Sequence, residues 1–177
     1  MMMRGSLTVL AAVCAATVLA QTKHEPDVPY VATPQFVVDA MLDLAAVKPN
    51  DLVYDLGCGD GRIVITAASV YHAHAVCLEI DPDLIARARK NAADAGVDKL
   101  IDFRQGDFFK ADIHDATVVT LFLLPRVNLE LRPKLRHDLK PGTRVVSQAF
   151  DMGDWRPNRL LSMAGGTVYM WIIAPPK

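Results

Sequence analysis

Apolar residues recur along this chain in two alternating patterns, helical spacing and short uninterrupted runs, from about residue 33 to the end. Val37, Val38, Met41, Leu42 and Ala45 form one helical stripe. Thr33 is the expected cap of that helix, with Pro34 at its first position, and the helix should stop before Pro49. Residues 51–56 then read as a strand. Ile63, Val64, Ala67, Ala68 and Tyr71 supply the buried face of a second helix that begins near Gly61. Residues 74–80 are a short apolar run ending in acid. Asp81 caps a third helix with Pro82 behind it, lined by Leu84, Ile85, Ala88, Ala92 and Ala95 and ended by Gly96. Residues 100–105 are strand-like. Residues 116–124 are almost wholly apolar, as a parallel strand covered on both faces must be. A helix follows over about 125–139 on Val127, Leu131, Leu135 and Leu139, with Pro133 predicting a kink or a restart. Residues 143–150 form the next strand, and 160–163 with 167–174 a hairpin around Gly165-Gly166. Such alternation predicts an α/β domain, a mostly parallel sheet with helices on both faces, closed by one antiparallel hairpin.

The most specific chemistry lies in Val53-Tyr54-Asp55-Leu56-Gly57-Cys58-Gly59-Asp60-Gly61-Arg62, a strand entering a glycine turn and then a helix. Glycines at alternate positions let backbone amides approach a ligand that any Cβ would block, and the helix that follows turns its positive end toward it. A dinucleotide fingerprint needs its third glycine where Arg62 stands. The acid followed by Gly-x-Gly-x-Gly instead resembles the S-adenosylmethionine loop of class I methyltransferases. That resemblance gives Asp55, Gly57, Cys58, Gly59 and Gly61 to the methionine portion of the cofactor. Glu79, at the next strand end, stands where a carboxylate accepts bonds from two ribose hydroxyls, although an acid there also simply ends a strand. Asp107 and Phe108 match the family's positions for the adenine amino group and the adenine ring. Gly106-Asp107 is equally an ordinary turn dipeptide.

Composition narrows the class. A chain of 177 residues with 51% hydrophobic and 22% charged residues builds a single globular domain without a disordered signature. Its net charge of −1 offers no basic field for a nucleic-acid backbone, so nucleic acid is not the expected substrate. The five histidines show no metal-ligand spacing with acids or cysteines, and no metal is expected. Cys14, Cys58 and Cys77 form no Cys-x-x-Cys pair. Cys58 in the glycine loop and Cys77 inside a strand read as small apolar fillers, and a disulfide between them is not expected. Residues 1–20 differ from the rest: Arg4, an apolar run over 7–19, and Val18-Leu19-Ala20 before Gln21 read as a signal peptide cleaved after Ala20. An uncleaved membrane anchor, with the domain facing the cofactor pool, and an organelle-targeting segment are the alternatives. Residues 21–32 are then a linker and arm, and 33–177 the folded domain.

Further segments carry a closer resemblance: Pro29-Tyr30-Val31-Ala32-Thr33-Pro34, Phe122-Leu123-Leu124-Pro125, Arg144-Val145-Val146-Ser147 and Phe150-Asp151-Met152-Gly153-Asp154-Trp155. With the glycine loop they are similar to the small lysine methyltransferases of adenine nucleotide translocase and ATP synthase c subunit, and their bacterial relatives. Ala32 stands where that family tends to have proline. The resemblance implies a Rossmann-like seven-stranded sheet, S-adenosylmethionine as cofactor, a lysine of a protein as acceptor, and a membrane-protein substrate met through residues 7–19. An apolar pocket lowers a lysine pKa and delivers the neutral amine, so no dedicated base is required. Phe122 and Pro125 are the expected wall of that pocket, Asp151 an orienting group for the amine, and Trp155 a lining of the channel, each with packing or a turn as its plain alternative. Methylation of a small molecule at nitrogen or oxygen, or a non-catalytic nucleoside-binding domain, are the competing functions.

Overall fold

The computed structural model describes residues 30–176; the signal-peptide or anchor reading and most of the predicted linker lie outside the described residues. In chain order the elements are α1 (Gln35–Leu44), β1 (Leu52–Leu56), α2 (Arg62–Tyr71), β2 (His74–Glu79), α3 (Pro82–Asp94) and, after a short 3₁₀ turn, β3 (Ile101–Gln105). Then come β4 (Val118–Leu121), α4 (Pro125–Asp138), β5 (Arg144–Gln148), β6 (Arg159–Met163) and β7 (Gly166–Ile172). The seven strands form one sheet in the order β3-β2-β1-β4-β5-β7-β6. All neighbours up to β5 are parallel, and β7 and β6 run antiparallel. Strand order reverses between β1 and β4, which places a crevice at their carboxyl ends.

Alternation along the strands builds two cores. Val53, Cys77, Val118, Val146, Val168 and Met170 meet α1, α2 and α3 on one face. Tyr54, Leu56, Val119, Leu121, Val145 and Trp171 meet α4 and the loop before β4 on the other. The Asp81 carboxylate accepts from the Asp83 N–H at 2.8 Å, so α3 starts as its sequence predicts. No helix among the described residues is long and apolar enough to cross a membrane.

Three local expectations are corrected. Thr33 does not cap α1: Pro34 holds the cap position without a side-chain bond, while Thr33 is buried and gives its carbonyl to Arg62 Nη1. Pro133 does not restart α4, which continues through it as one helix. The proline and Leu129, whose carbonyl it leaves without a helical donor, are both exposed, so water replaces the lost partner. The third correction concerns the cysteines. Cys58 and Cys77 are joined by a disulfide with their Cα atoms 5.3 Å apart. Cys77 pairs with Asp55 across β1 and β2, and the chain then folds back over β2 at Gly57. The amides of Gly57 and Cys58 both donate to the Leu78 carbonyl, at 2.8 and 3.2 Å, which lays Cys58 beside Cys77. Strand membership alone does not reveal this return.

A disulfide closing a sequence separation of 19 stabilises by about 3 kcal/mol in the chain-entropy description. Urea unfolding with and without reductant is expected to differ by about that much, and Cys77→Ala to unfold like the reduced protein. Alkylation of the unreduced, denatured full chain should modify Cys14 alone; modification of all three cysteines would contradict the pairing.

Candidate functional site

A crevice open to solvent lies at the β1/β4 switch point. Asp55, Gly57, Cys58, Gly59, Glu79, Asp107, Phe108 and Phe122 all line it. Gly61 ends the glycine turn as the residue before α2. Pro125, Asp151 and Trp155 are not among the lining residues. Pro125 opens α4 on the exposed side of the chain, and Asp151 accepts the Gly153 N–H at 3.0 Å in a local turn. Trp155 packs 5.7 Å from the Trp171 ring and takes the Trp171 Nε1–H on its carbonyl at 2.7 Å.

Glu79 organises the floor. Its Oε2 accepts from the Gly59 amide at 2.9 Å, and its Oε1 from the amides of Ile80 and Asp81 at 2.8 and 3.0 Å. The carboxylate is only 6% exposed, yet three bonds leave acceptor capacity for hydroxyls entering the crevice. Gly59 has φ +56, and a Cβ there would run into the Tyr30 ring, so this position requires glycine for both its backbone and the close approach. Asp107 Oδ1 accepts from the Phe109 amide at 2.9 Å while Oδ2 lies 3.3 Å from Lys110 Nζ, and the Phe108 ring packs at a tilt against Phe109. The turn and the lining role therefore coexist.

Tyr30, Asp60 and Arg62 line the crevice without having been selected from sequence as site residues. Arg62 pairs with Asp60 at 2.7 Å and reaches the Thr33 carbonyl at 2.6 Å, strapping the segment before α1 across the glycine turn. Burial raises the Tyr30 pKa, and its bond to Asp60 adds to the shift. The signal for Tyr30 was an aromatic residue in the Pro29-to-Pro34 motif, but nothing in that motif reveals that it folds over Gly59.

Asp55 is 3% exposed and accepts from Thr120 Oγ1 at 2.8 Å. Burial pushes its pKa up to about 7; the Thr120 bond opposes this, while the charges of Glu79 and Asp60 add to it. The folded state thus binds a proton that the unfolded chain, with an ordinary value of 3.8, has released. Stability from this group is fully present below about pH 4 and is lost as pH rises through about 7, on the order of 4 kcal/mol across the window. Urea midpoints of the cofactor-free protein should fall over that range, and Asp55→Asn should flatten the fall. Parallel slopes for the two proteins would count against a protonated Asp55.

The family model described as the ANTKMT methyltransferase domain matches residues 55–159. A protein of Saccharolobus islandicus named protein-lysine N-methyltransferase is 48% identical over 87% of this chain and 99% of its own length. The mouse adenine nucleotide translocase lysine N-methyltransferase is 35% identical over 81% of the chain, which spans 62% of that protein. A crystal structure described as an RNA methyltransferase from Salinibacter ruber with S-adenosyl-L-homocysteine is 58% identical, covers 83% of this chain and 96% of that one, and superposes with a TM-score of 0.82. With an intact glycine turn and carboxylates at two strand ends, the chain belongs to the ANTKMT methyltransferase family and is an S-adenosylmethionine-dependent methyltransferase.

Proposed function

We propose that the acceptor is a lysine of a protein, making the chain a protein-lysine N-methyltransferase. The observation that carries this reading is the 48% identity to the Saccharolobus islandicus protein of that name over almost its whole length. The crevice agrees with it chemically, because Tyr30, Val31, Phe122 and Leu123 give the lining an apolar stretch beside the strand ends. Such a surface disfavours an ammonium and supplies a neutral amine without a base.

The residues present fit the cofactor. Gly59 presents backbone without a side chain at the crevice under the Tyr30 ring, Glu79 keeps acceptor capacity for a ribose hydroxyl, and Asp55 offers a carboxylate to the amino acid portion. Asp107 and Phe108 take the adenine end of the crevice in this reading. When bound, S-adenosylmethionine supplies a sulfonium methyl: its carbon bonds to the acceptor nitrogen as the carbon–sulfur bond breaks, the electron pair stays on sulfur, and the surplus proton goes to water. The chain's own part is to hold, orient and desolvate.

Transfer to RNA is a second reading, favoured by the likeness to the Salinibacter ruber protein described as an RNA methyltransferase. A net charge of −1 gives it no supporting field. A protein and RNA extract incubated with methyl-tritiated cofactor separates the two. Label is expected in methyl-lysine after hydrolysis of the protein fraction, and label in RNA instead would overturn the lysine assignment. Calorimetric titration with S-adenosyl-L-homocysteine should show Glu79→Ala binding weaker by about 1–3 kcal/mol, the range for unpaired polar partners. Affinity equal to wild type would remove Glu79 from the cofactor site.

A further inference from the structure

β5 ends in Ser147-Gln148, whose side chains leave opposite faces of the sheet. Ser147 turns to α4, where Asn128 Nδ2 donates to its hydroxyl at 3.0 Å. Gln148 therefore lies on the face of α1, with Val146 before it and Val168 across from it in β7. It is 4% exposed, and its Oε1 has no hydrogen-bond partner among the described residues. Buried carbonyl oxygens without partners are rare and destabilising, and each calls for a reason. Asn128 Oδ1 is the other such atom, on a side chain whose amide nitrogen bonds Ser147, the Phe150 carbonyl and the Asp151 carbonyl. Gln148 has no comparable structural employment.

Its position supplies the reason. The β4–β5 register pairs Thr120 with Val146 and Leu121 with Ser147, which leaves Phe122 and Gln148 each one step past the last paired row; Gln148 is not itself among the residues that line the crevice. Phe122 lines the crevice, and the Asp55–Thr120 pair lies one row earlier on the same face. From the other side the β6–β7 turn closes in: a Cβ on Gly166 would lie 3.9 Å from Ala149, and one on Gly165 would lie 3.3 Å from the Phe36 ring of α1. Immediately after Gln148 the backbone is strained. The Phe150 N–H donates to the Gln148 carbonyl at 2.8 Å across Ala149 at φ +65, a γ-turn that an L-residue seldom adopts. Asn128 and the Ser147 hydroxyl, which donates to the Phe150 carbonyl at 2.7 Å, hold that turn shut. Strain of this kind persists where surrounding contacts over-determine it, typically beside a site.

We propose that Gln148 receives the acceptor amine, its Oε1 accepting an N–H of the incoming nitrogen and turning the lone pair toward the transferable methyl. A neutral amide suits this task, because a carboxylate at the same point would hold the nitrogen as ammonium. The proposal rests on the nitrogen-acceptor reading above and extends it to a residue on β5, remote from the glycine turn.

Gln148→Leu tests it in the full chain, assayed on the same extract with methyl-tritiated cofactor. Loss of an orphaned buried oxygen should leave the thermal midpoint unchanged or higher and S-adenosyl-L-homocysteine affinity unchanged, while transfer falls about ten- to a hundredfold. Gln148→Glu should retain transfer but move the rising limb of its pH profile to higher pH, since the carboxylate favours the protonated amine. Transfer by Gln148→Leu within about twofold of wild type, with raised stability, would make Gln148 a mere packing defect and overturn the proposal. Label on a nitrogen other than lysine would end the lysine reading alone, because the same comparison of variants still decides Gln148. Wild-type protein that binds cofactor but labels nothing would overturn both.

Discussion

Glu79 ties the glycine turn to the end of β2 through the Gly59 amide while two amides beyond the strand hold its other oxygen, and the rest of the site is arranged around that tie. Gly59 is drawn in by one oxygen, while Ile80 and Asp81 meet the other just before α3 begins. The same turn is fastened to β2 twice more, by the Leu78 carbonyl and by the Cys58–Cys77 disulfide. A loop with three left-handed glycines would otherwise retain much of its conformational entropy, and ordering it would draw on the binding energy of the ligand. Fixing it in advance moves that expense from binding to folding, the usual meaning of preorganisation.

This tie has an electrostatic consequence. It fixes the Glu79 charge in the same crevice as Asp55, which is itself almost fully buried. Burial dominates the upward shift of Asp55, and the charge of Glu79 adds to it, so the crevice resists carrying both charges. A cationic group entering the crevice would relieve that conflict.

Legibility in the sequence follows the range of the interactions. The strands and α3 were readable because runs of Val, Ile and Leu and the Asp81-Pro82 start act within a few residues. The carboxylates Asp55 and Glu79 were readable because strand ends fix their spacing from the glycines. Thr33 failed as a cap because α1 begins one residue later, with Pro34 at the cap, while Thr33 is held across the glycine turn by Arg62, 29 residues later. Cys58–Cys77 was missed because the turn after β1 doubles back over β2, which no periodicity reports. Tyr30 and Gln148 escaped for a similar reason. One covers Gly59 from the N-terminal arm, and the other follows the last paired row of the β4–β5 register.

The end of β5 separates what folding requires from what the site requires. Val145, Val146 and Trp171 bury apolar surface on both faces there, and any well-packed strand pair would do as much. Folding has no use for a glutamine without a partner at the last position, nor for Ala149 at φ +65 where glycine would sit without strain. Both features weaken the isolated protein, and both cluster at the carboxyl edge where the fold places its chemistry. The Asn128–Ser147 network ties the strained turn to α4, which Val127, Leu131 and Leu135 anchor in the second core. A side chain meant to meet the acceptor is thus mounted on a strand end tied to the second core, as positioning to about half an ångström demands.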